Sequence, residues 1–218
     1  MDVRTSPKYV SNILDYTLCL ASSSRLFVAA QVARHPELAW RSQSVKRASA
    51  FLHGHADLFE VLEVGANKPR LYRLSAKARR VCNVEAKPVS ARSMKAQHWV
   101  ELGDVWNSLA LFLVNERKPK SLPTKWITEW NRQFDVYCEW MGKPYLIEYQ
   151  RTPVTTRQWK NKWEIRRKWF SEQKWQLKPK VVLVVTTGQQ DSTIQAPRGT
   201  IVVRRVDDLP RMLLKCSP

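Results

Sequence analysis

Apolar side chains return at helical spacing along residues 9–22, YVSNILDYTLCLAS, through Val10, Ile13, Leu14, Thr17, Leu18 and Ala21. The next segment, SSSRLFVAAQVARH, offers serine N-caps and then a second short apolar helix. ELAWRSQSVKRASAFLHG predicts a third helix that stops at Gly54, with Trp40, Val45, Ala48 and Leu52 toward a core. Its opposite face carries Arg41, Gln43, Lys46 and Arg47. The period then changes: residues 58–64 and 70–74 are β-like, and the turn-rich GANKP lies between them.

Three helices followed by a β-hairpin is the winged-helix pattern. In that arrangement the third helix enters the DNA major groove, and the hairpin touches the backbone or the minor groove. Lys68 and Arg70 fall on the expected hairpin. Residues 1–82 are therefore expected to form a DNA-binding domain. Residues 83–96, NVEAKPVSARSMKA, carry no clear period and read as a linker.

A second domain is expected over 97–218. It begins with a helix in HWVELGDVWNSLALFLVNE, whose stripe runs through Val100, Leu102, Val105, Leu109 and Phe112. FDVYCEW is a strand with Phe134, Val136, Cys138 and Trp140 on one face, MGKP is a turn, and YLIEYQ is a second strand. Residues 155–175 form a long basic helix. KVVLVVTT is apolar throughout, as in a strand covered on both faces, and TIVVRRV is another strand before a short closing helix in DDLPRMLLKC. The fold class is α/β (α+β) with two domains.

Charge sharpens the functional reading. The chain has 218 residues, with 37 Lys and Arg against 19 Asp and Glu, a formal charge of +18 at pH 7. Such a chain attracts polyanions, and nucleic acid comes first among them. No apolar run approaches the roughly 20 residues needed to span a bilayer. MDVRTSPKYV lacks the apolar core of a secretory signal, and four scattered cysteines form neither a zinc spacing nor a disulfide scaffold. The expectation is a cytoplasmic DNA-binding protein with no membrane partner, and a homodimer is compatible with it.

Chemistry concentrates in YLIEYQRTP. Strand period 2 sets Glu148 and Gln150 on one face, and a hairpin would bring Asp135 beside Glu148. Two neighbouring carboxylates repel unless a cation lies between them, and Mg²⁺ or Mn²⁺ suits such oxygen donors. This Asp…Glu-x-polar arrangement resembles the restriction-endonuclease-like PD-(D/E)XK core. There the last position is usually Lys; Gln150 departs from it, and Lys160 or Lys162 on the following helix stands in reach of the role. The resemblance implies Asp135 and Glu148 as metal ligands, with Gln150, Lys160 and Lys162 as further catalytic candidates.

The order of the pieces also resembles the replication-relaxation family of plasmids, phages and mobile elements. The matching stretches are RLYRLSAKARR, HWVELGDVWNSLALF, TEW before FDVY, YLIEYQRT, the Lys- and Arg-rich helix and VVLVVTT. Where that family has Glu-x-Asp-(Arg/Gly)-Thr, this chain keeps Glu148, Arg151 and Thr152 and departs at Gln150. The resemblance implies a role in replication, mobilisation or DNA processing, with replication or mobilisation proteins as partners. The alternatives are a metal-dependent endonuclease and a transcriptional regulator whose second domain is catalytically dead.

From 151 to 180 there are ten Lys and Arg against two Glu. Arg151, Arg157, Arg167 and Lys168 are the DNA contacts expected from this run, and Trp159, Trp163, Trp169 and Phe170 are expected to pack on the sheet.

Overall fold

The computed structural model describes residues 12–62, 68–85, 87–115, 122–186 and 196–216, the side chains of 113–115 excepted. The chain is mixed α/β, with one three-stranded and one five-stranded sheet. It divides into two compact units, Met1–Ser121 and Leu122–Pro218.

In the first unit, α1 (Ile13–Ser24) starts where Asn12 accepts the Asp15 N–H and caps the free first turn. The expected Val10 position lies outside the described residues. Tyr16, Thr17, Leu20 and Ala21 are buried, so the core stripe is centred one residue off the expected one. The serines expected to cap a second helix instead finish α1, where Ser22 and Ser24 turn their hydroxyls back to the Leu18 and Leu20 carbonyls. That local bonding satisfies the hydroxyls within the helix and frees them from a capping role. A two-residue strand, β1 (Phe27–Val28), follows, and then α2 (Ala29–Val32).

The expected third helix is broken into α3 (Pro36–Ala39) and α4 (Ser44–Gly54). Gln43 adopts a left-handed backbone at φ 57°, which no helix interior tolerates. The break overturns part of the expected core: Trp40 is 87 % exposed and Val45 49 % exposed, while Ala48 and Leu52 are buried. Strand β2 (Phe59–Leu62) pairs antiparallel with β3 (Leu71–Leu74), and the sheet order is β1-β3-β2. The remainder of the expected first strand, 63–64, and most of GANKP lie outside the described residues. Helix α5 (Ala76–Val81), capped by Ser75, follows β3.

Helix α6 (Ala96–Asn115) packs against α1, β1 and α2. The expectation of a linker at 83–96 and a second domain from 97 therefore differs from the observed division, which falls after this helix. The reason is a shared polar core. The Tyr16 hydroxyl donates to Asn107 Oδ1, Asn107 Nδ2 donates to the Gln31 carbonyl at 3.3 Å, and Gln31 Nε2 donates to the Val100 carbonyl at 2.7 Å. Buried polar groups cost free energy when left unpaired, so this chain of bonds holds α6 to α1 and α2.

The second unit is built on the sheet order β4-β5-β6-β7-β8. Strand β4 (Thr124–Trp130) has no counterpart in the sequence reading, because it is a bulged edge strand with left-handed residues at Lys125 and Glu129. Strands β5 (Phe134–Trp140) and β6 (Lys143–Gln150) form a tight hairpin. Its two turn residues, Met141 and Gly142, both have positive φ, 51° and 76°, as a two-residue hairpin turn requires. Helix α7 (Thr156–Glu172) then carries the chain to β7 (Lys180–Val185), parallel to β6, and β8 (Ile201–Val203) joins in parallel. A 3-10 turn and α8 (Leu209–Lys215) end the described chain, with Leu209 and Leu213 buried.

Gly103 gives a test of how α6 is seated. A Cβ there would lie 2.8 Å from Gln31 Nε2 and 3.1 Å from Ser24 Cβ. Gln31 cannot swing aside without losing its bond to Val100 and the one its Oε1 accepts from the Val28 N–H at 3.0 Å. Gly→Ala inside a helix ordinarily stabilises by about 1 kcal/mol. Gly103→Ala is expected to destabilise instead, by about 1–2 kcal/mol, because the overpacked contact outweighs the propensity gain. Protection of α6 amides in hydrogen exchange measures it.

Candidate functional site

Strand β6 positions the central groups. Its residues from Pro144 to Gln150 are all buried, so neither face is wet. Period 2 sets Leu146, Glu148 and Gln150 on the face that α7 covers, where Leu146, Leu183, Val185, Trp159 and Trp163 form the core. Two polar side chains thus interrupt an apolar layer.

The helix answers them. Thr155 and Gln158 form a capping box that fixes the first turn of α7. Trp159, Lys162, Trp163 and Arg166 then recur at spacings of three and four and share the inner face. Lys162 Nζ donates to Glu148 Oε1 and, at 3.3 Å, to Gln150 Oε1. Arg166 Nη2 donates to Glu148 Oε2 at 2.6 Å. Its guanidinium also lies over the Phe134 and Trp163 rings, 4.7 and 5.3 Å from their centroids, so aromatic faces supply part of its lost solvation. Gln150 donates to the Thr152 carbonyl, which orients its amide oxygen toward Lys162.

Asp135 sits at the start of β5, one step beyond the Val136–Ile147 pair, and its Oδ2 accepts the Tyr149 N–H at 2.7 Å. It is close enough for its charge to act on Glu148. Burial, then repulsion from Asp135, push the Glu148 carboxyl above its ordinary value, against the pull of Arg166 and Lys162.

The structure therefore brings together Asp135, Glu148, Gln150 and Lys162. Lys160 lies on the exposed side of α7 and takes no part in the cluster. A step of two residues along a helix turns the side chain by about 200°, so of the two lysines only Lys162 faces the sheet. Arg166 is the functional residue that the sequence reading missed. Its signal was present: it lies seven residues after Trp159 and three after Trp163, so a cation was due on the apolar face, and a buried arginine calls for a carboxylate.

The donor set consists of oxygens: two carboxylates and an amide. Hard divalent cations such as Mg²⁺ and Mn²⁺ prefer such donors and complete their shell with water and phosphate, so the residues fit this class of ion. Among the described residues no group of three or more His, Cys, Asp or Glu is placed to hold a metal ion, so an ion here would have only the Asp135 and Glu148 carboxylates as charged donors. Both Glu148 oxygens accept from cations of α7, so a metal would compete with Lys162 and Arg166.

The other expected contacts are surface residues. Arg41, Gln43, Lys46 and Arg47 are exposed around the start of α4, with Arg47 Nε bonded to the Ser42 carbonyl at 3.2 Å. Lys68 and Arg70 are exposed beside the hairpin strands, and Arg70 Nη1 lies 3.3 Å from His53 Nε2. Arg157, Arg167 and Lys168 are exposed on α7, and Arg151 is half-buried after β6.

Breaking a buried ion pair by removing one partner costs about 3–5 kcal/mol. Arg166→Met is accordingly expected to lower the local stability of the β6–α7–β7 region by about 3 kcal/mol, and Glu148→Gln in the same chain should restore much of it. Loss of the guanidinium raises the folded-state Glu148 value further. A carboxyl raised on folding favours the folded state at low pH and withdraws that support as pH climbs through the folded value. The Arg166→Met deficit should therefore be small in acid and grow with pH above the ordinary Glu range. Hydrogen exchange of β6 and β7 amides across a pH series checks both statements, and equal deficits in the single and double variants would deny the coupling.

No family model, no curated protein and no solved structure matches this chain.

Proposed function

We propose that the chain is a DNA-processing protein: its first unit binds duplex DNA as a winged helix, and its second unit is a restriction-endonuclease-like domain that cuts phosphodiesters with a divalent cation. The observation that carries this reading is the convergence of Asp135, Glu148, Gln150 and Lys162 from two adjacent strands and the crossover helix that follows them. A hairpin, a basic helix and a parallel strand, with carboxylates on the two hairpin strands, is the order that PD-(D/E)XK centres use. Lys162 reaching in from α7 supplies the cation that Gln150 lacks. The element order α1-β1-α2-α3-α4-β2-β3 and the sheet order β1-β3-β2 support the winged-helix reading of the first unit. The same whole-chain order supports membership of the replication-relaxation family, and with it a role in replication or mobilisation of a mobile element.

Asp135 and Glu148 would hold the ion. When bound, a divalent cation polarises a phosphate and lowers the pKa of an attacking water. Lys162 Nζ, placed between Glu148 and Gln150, is positioned to orient a water through its one remaining N–H and to offset charge that develops on a phosphoryl oxygen. The Gln150 amide oxygen accepts from Lys162 and fixes where that ammonium points. Arg166 stays beneath the cluster, holding Glu148 against the helix. The exposed Arg157, Arg167 and Lys168 give α7 the charge to track a phosphate backbone.

A second reading rests on Glu148 itself. Both of its oxygens are occupied by cations from α7, as in a purely structural lock, which fits a DNA-binding regulator with an inactive second domain. One assay separates the two: supercoiled plasmid incubated with the full chain and Mg²⁺ or Mn²⁺. The nuclease reading expects nicked product, lost in Asp135→Ala and Glu148→Ala, reduced by about a hundredfold in Lys162→Ala and unchanged in Lys160→Ala, with duplex affinity retained throughout. The lock reading expects no product with either ion, and duplex binding unaffected by the same substitutions.

A further inference from the structure

We infer that Trp40 and Val45 form the apolar centre of a DNA-contact surface at the turn before α4, making a salt-insensitive contact with the thymine methyls and sugars of a duplex groove. The inference rests on the DNA-binding reading of the first unit and names the chemistry by which that unit touches more than phosphate.

The turn itself creates the surface. Trp40 closes α3, and the Arg41 N–H returns to the Leu38 carbonyl at 3.0 Å, so the chain bends before α4 can begin. Gln43 then takes its left-handed backbone at φ 57°, and α4 starts at Ser44. The bend takes Trp40 off the apolar stripe and leaves it 87 % exposed, with Val45, in the first turn of α4, 49 % exposed. Exposed apolar patches rimmed by polar residues mark interaction sites, whereas single exposed apolar side chains are ordinary, so the neighbourhood of Trp40 decides its reading.

Charge decides what covers it. Residues 38–56 contain Arg41, Lys46 and Arg47 and no Asp or Glu, and all three cations are exposed within two positions of Trp40 or Val45 along the chain. A cationic rim around an apolar centre complements a polyanion that carries apolar groups between its charges. Duplex DNA has that character, since phosphates flank a groove in which each thymine presents a methyl group. The first turn of a groove-entering helix is where base edges are met, and Val45 lies there.

Apolar and ionic contacts leave different signatures. Each lost phosphate contact reduces the slope of log affinity against log salt by about 0.9, whereas a lost apolar contact lowers affinity at every salt concentration and leaves the slope alone. The experiment is fluorescence anisotropy of the full chain on a labelled random-sequence duplex of about 30 base pairs, long enough to cover a single winged-helix footprint. Trp40→Ala/Val45→Ala should bind about tenfold more weakly at all salt concentrations with an unchanged slope. Arg41→Ala/Lys46→Ala should lose about two units of slope. A duplex made with deoxyuridine in place of thymidine should weaken the wild type and make no difference to Trp40→Ala/Val45→Ala. Trp40→Phe should keep most of the affinity. If the apolar variant melts below the wild type, Trp40→Thr alone is read in its place.

Wild-type affinity in the apolar variant, beside a loss in the cationic one, overturns the inference and leaves the DNA-binding reading standing. A wild type that binds neither duplex removes both. Indifference to the thymine methyl with tighter binding of the single strand reassigns Trp40 to base stacking and overturns the groove contact. A halving of mass in the apolar variant by light scattering would assign the patch to a second copy of the chain and likewise overturn it.

Discussion

A carboxylate buried beneath a helix governs the second unit. Glu148 lies in the middle of a strand covered on both faces, and an uncompensated charge there would cost several kcal/mol. The fold meets that constraint by turning Lys162 and Arg166 inward from α7, where the amphipathic pattern would otherwise place apolar side chains. Those two cations then fix the rotation of α7 about its own axis. That rotation decides which basic residues face the sheet and which face solvent. Trp159 and Trp163 pack on Leu146, Leu183 and Val185 in the same register.

The same arrangement links stability with chemistry. A site able to hold a divalent cation needs neighbouring carboxylates, and neighbouring carboxylates repel. Asp135 is drawn off by the Tyr149 N–H, and Glu148 by Lys162 and Arg166. These partners offset charge that burial would otherwise leave uncompensated. Arg166 is the more buried of the two cations and shares its charge with the Phe134 and Trp163 rings. Lys162 is about one-third exposed and is shared with Gln150, so it is the less firmly committed of the two partners.

The first unit rests on a neutral polar lattice in place of a charged one. Tyr16, Gln31 and Asn107 tie α6 to the N-terminal helices, and Gly103 lets the helices approach closely enough for those bonds to form. Arg25 is half-buried over the Trp99 ring, while the cations near α4 are exposed. Arg41, Lys46 and Arg47 surround the turn before α4, and that turn also turns Trp40 outward.

The strands and the long helices were legible in the sequence, because their signal is local. Phe134, Val136, Cys138 and Trp140 are all buried at alternate positions, although Phe134 packs on the α7 side with Leu146, Trp159 and Trp163 and so leaves the face expected for it; the apolar run at 180–185 became a parallel strand, and Trp159 and Trp163 took the inner face of α7. The pairing of Glu148 with Gln150 followed from strand period 2 alone. Four things were decided only by the tertiary structure, each because its cause lies far away along the chain. The edge strand β4 exists through pairing with β5 and has little apolar pattern of its own. Helix α6 sides with the first unit because Asn107 and Val100 meet partners on α1 and α2, 91 and 69 residues away. The third helix breaks at Gln43, where a left-handed residue overrides a continuous helical pattern and exposes Trp40. Lys162 was chosen over Lys160, and Arg166 was added, because a buried carboxylate on the neighbouring strand accepts whichever cations the rotation of α7 delivers.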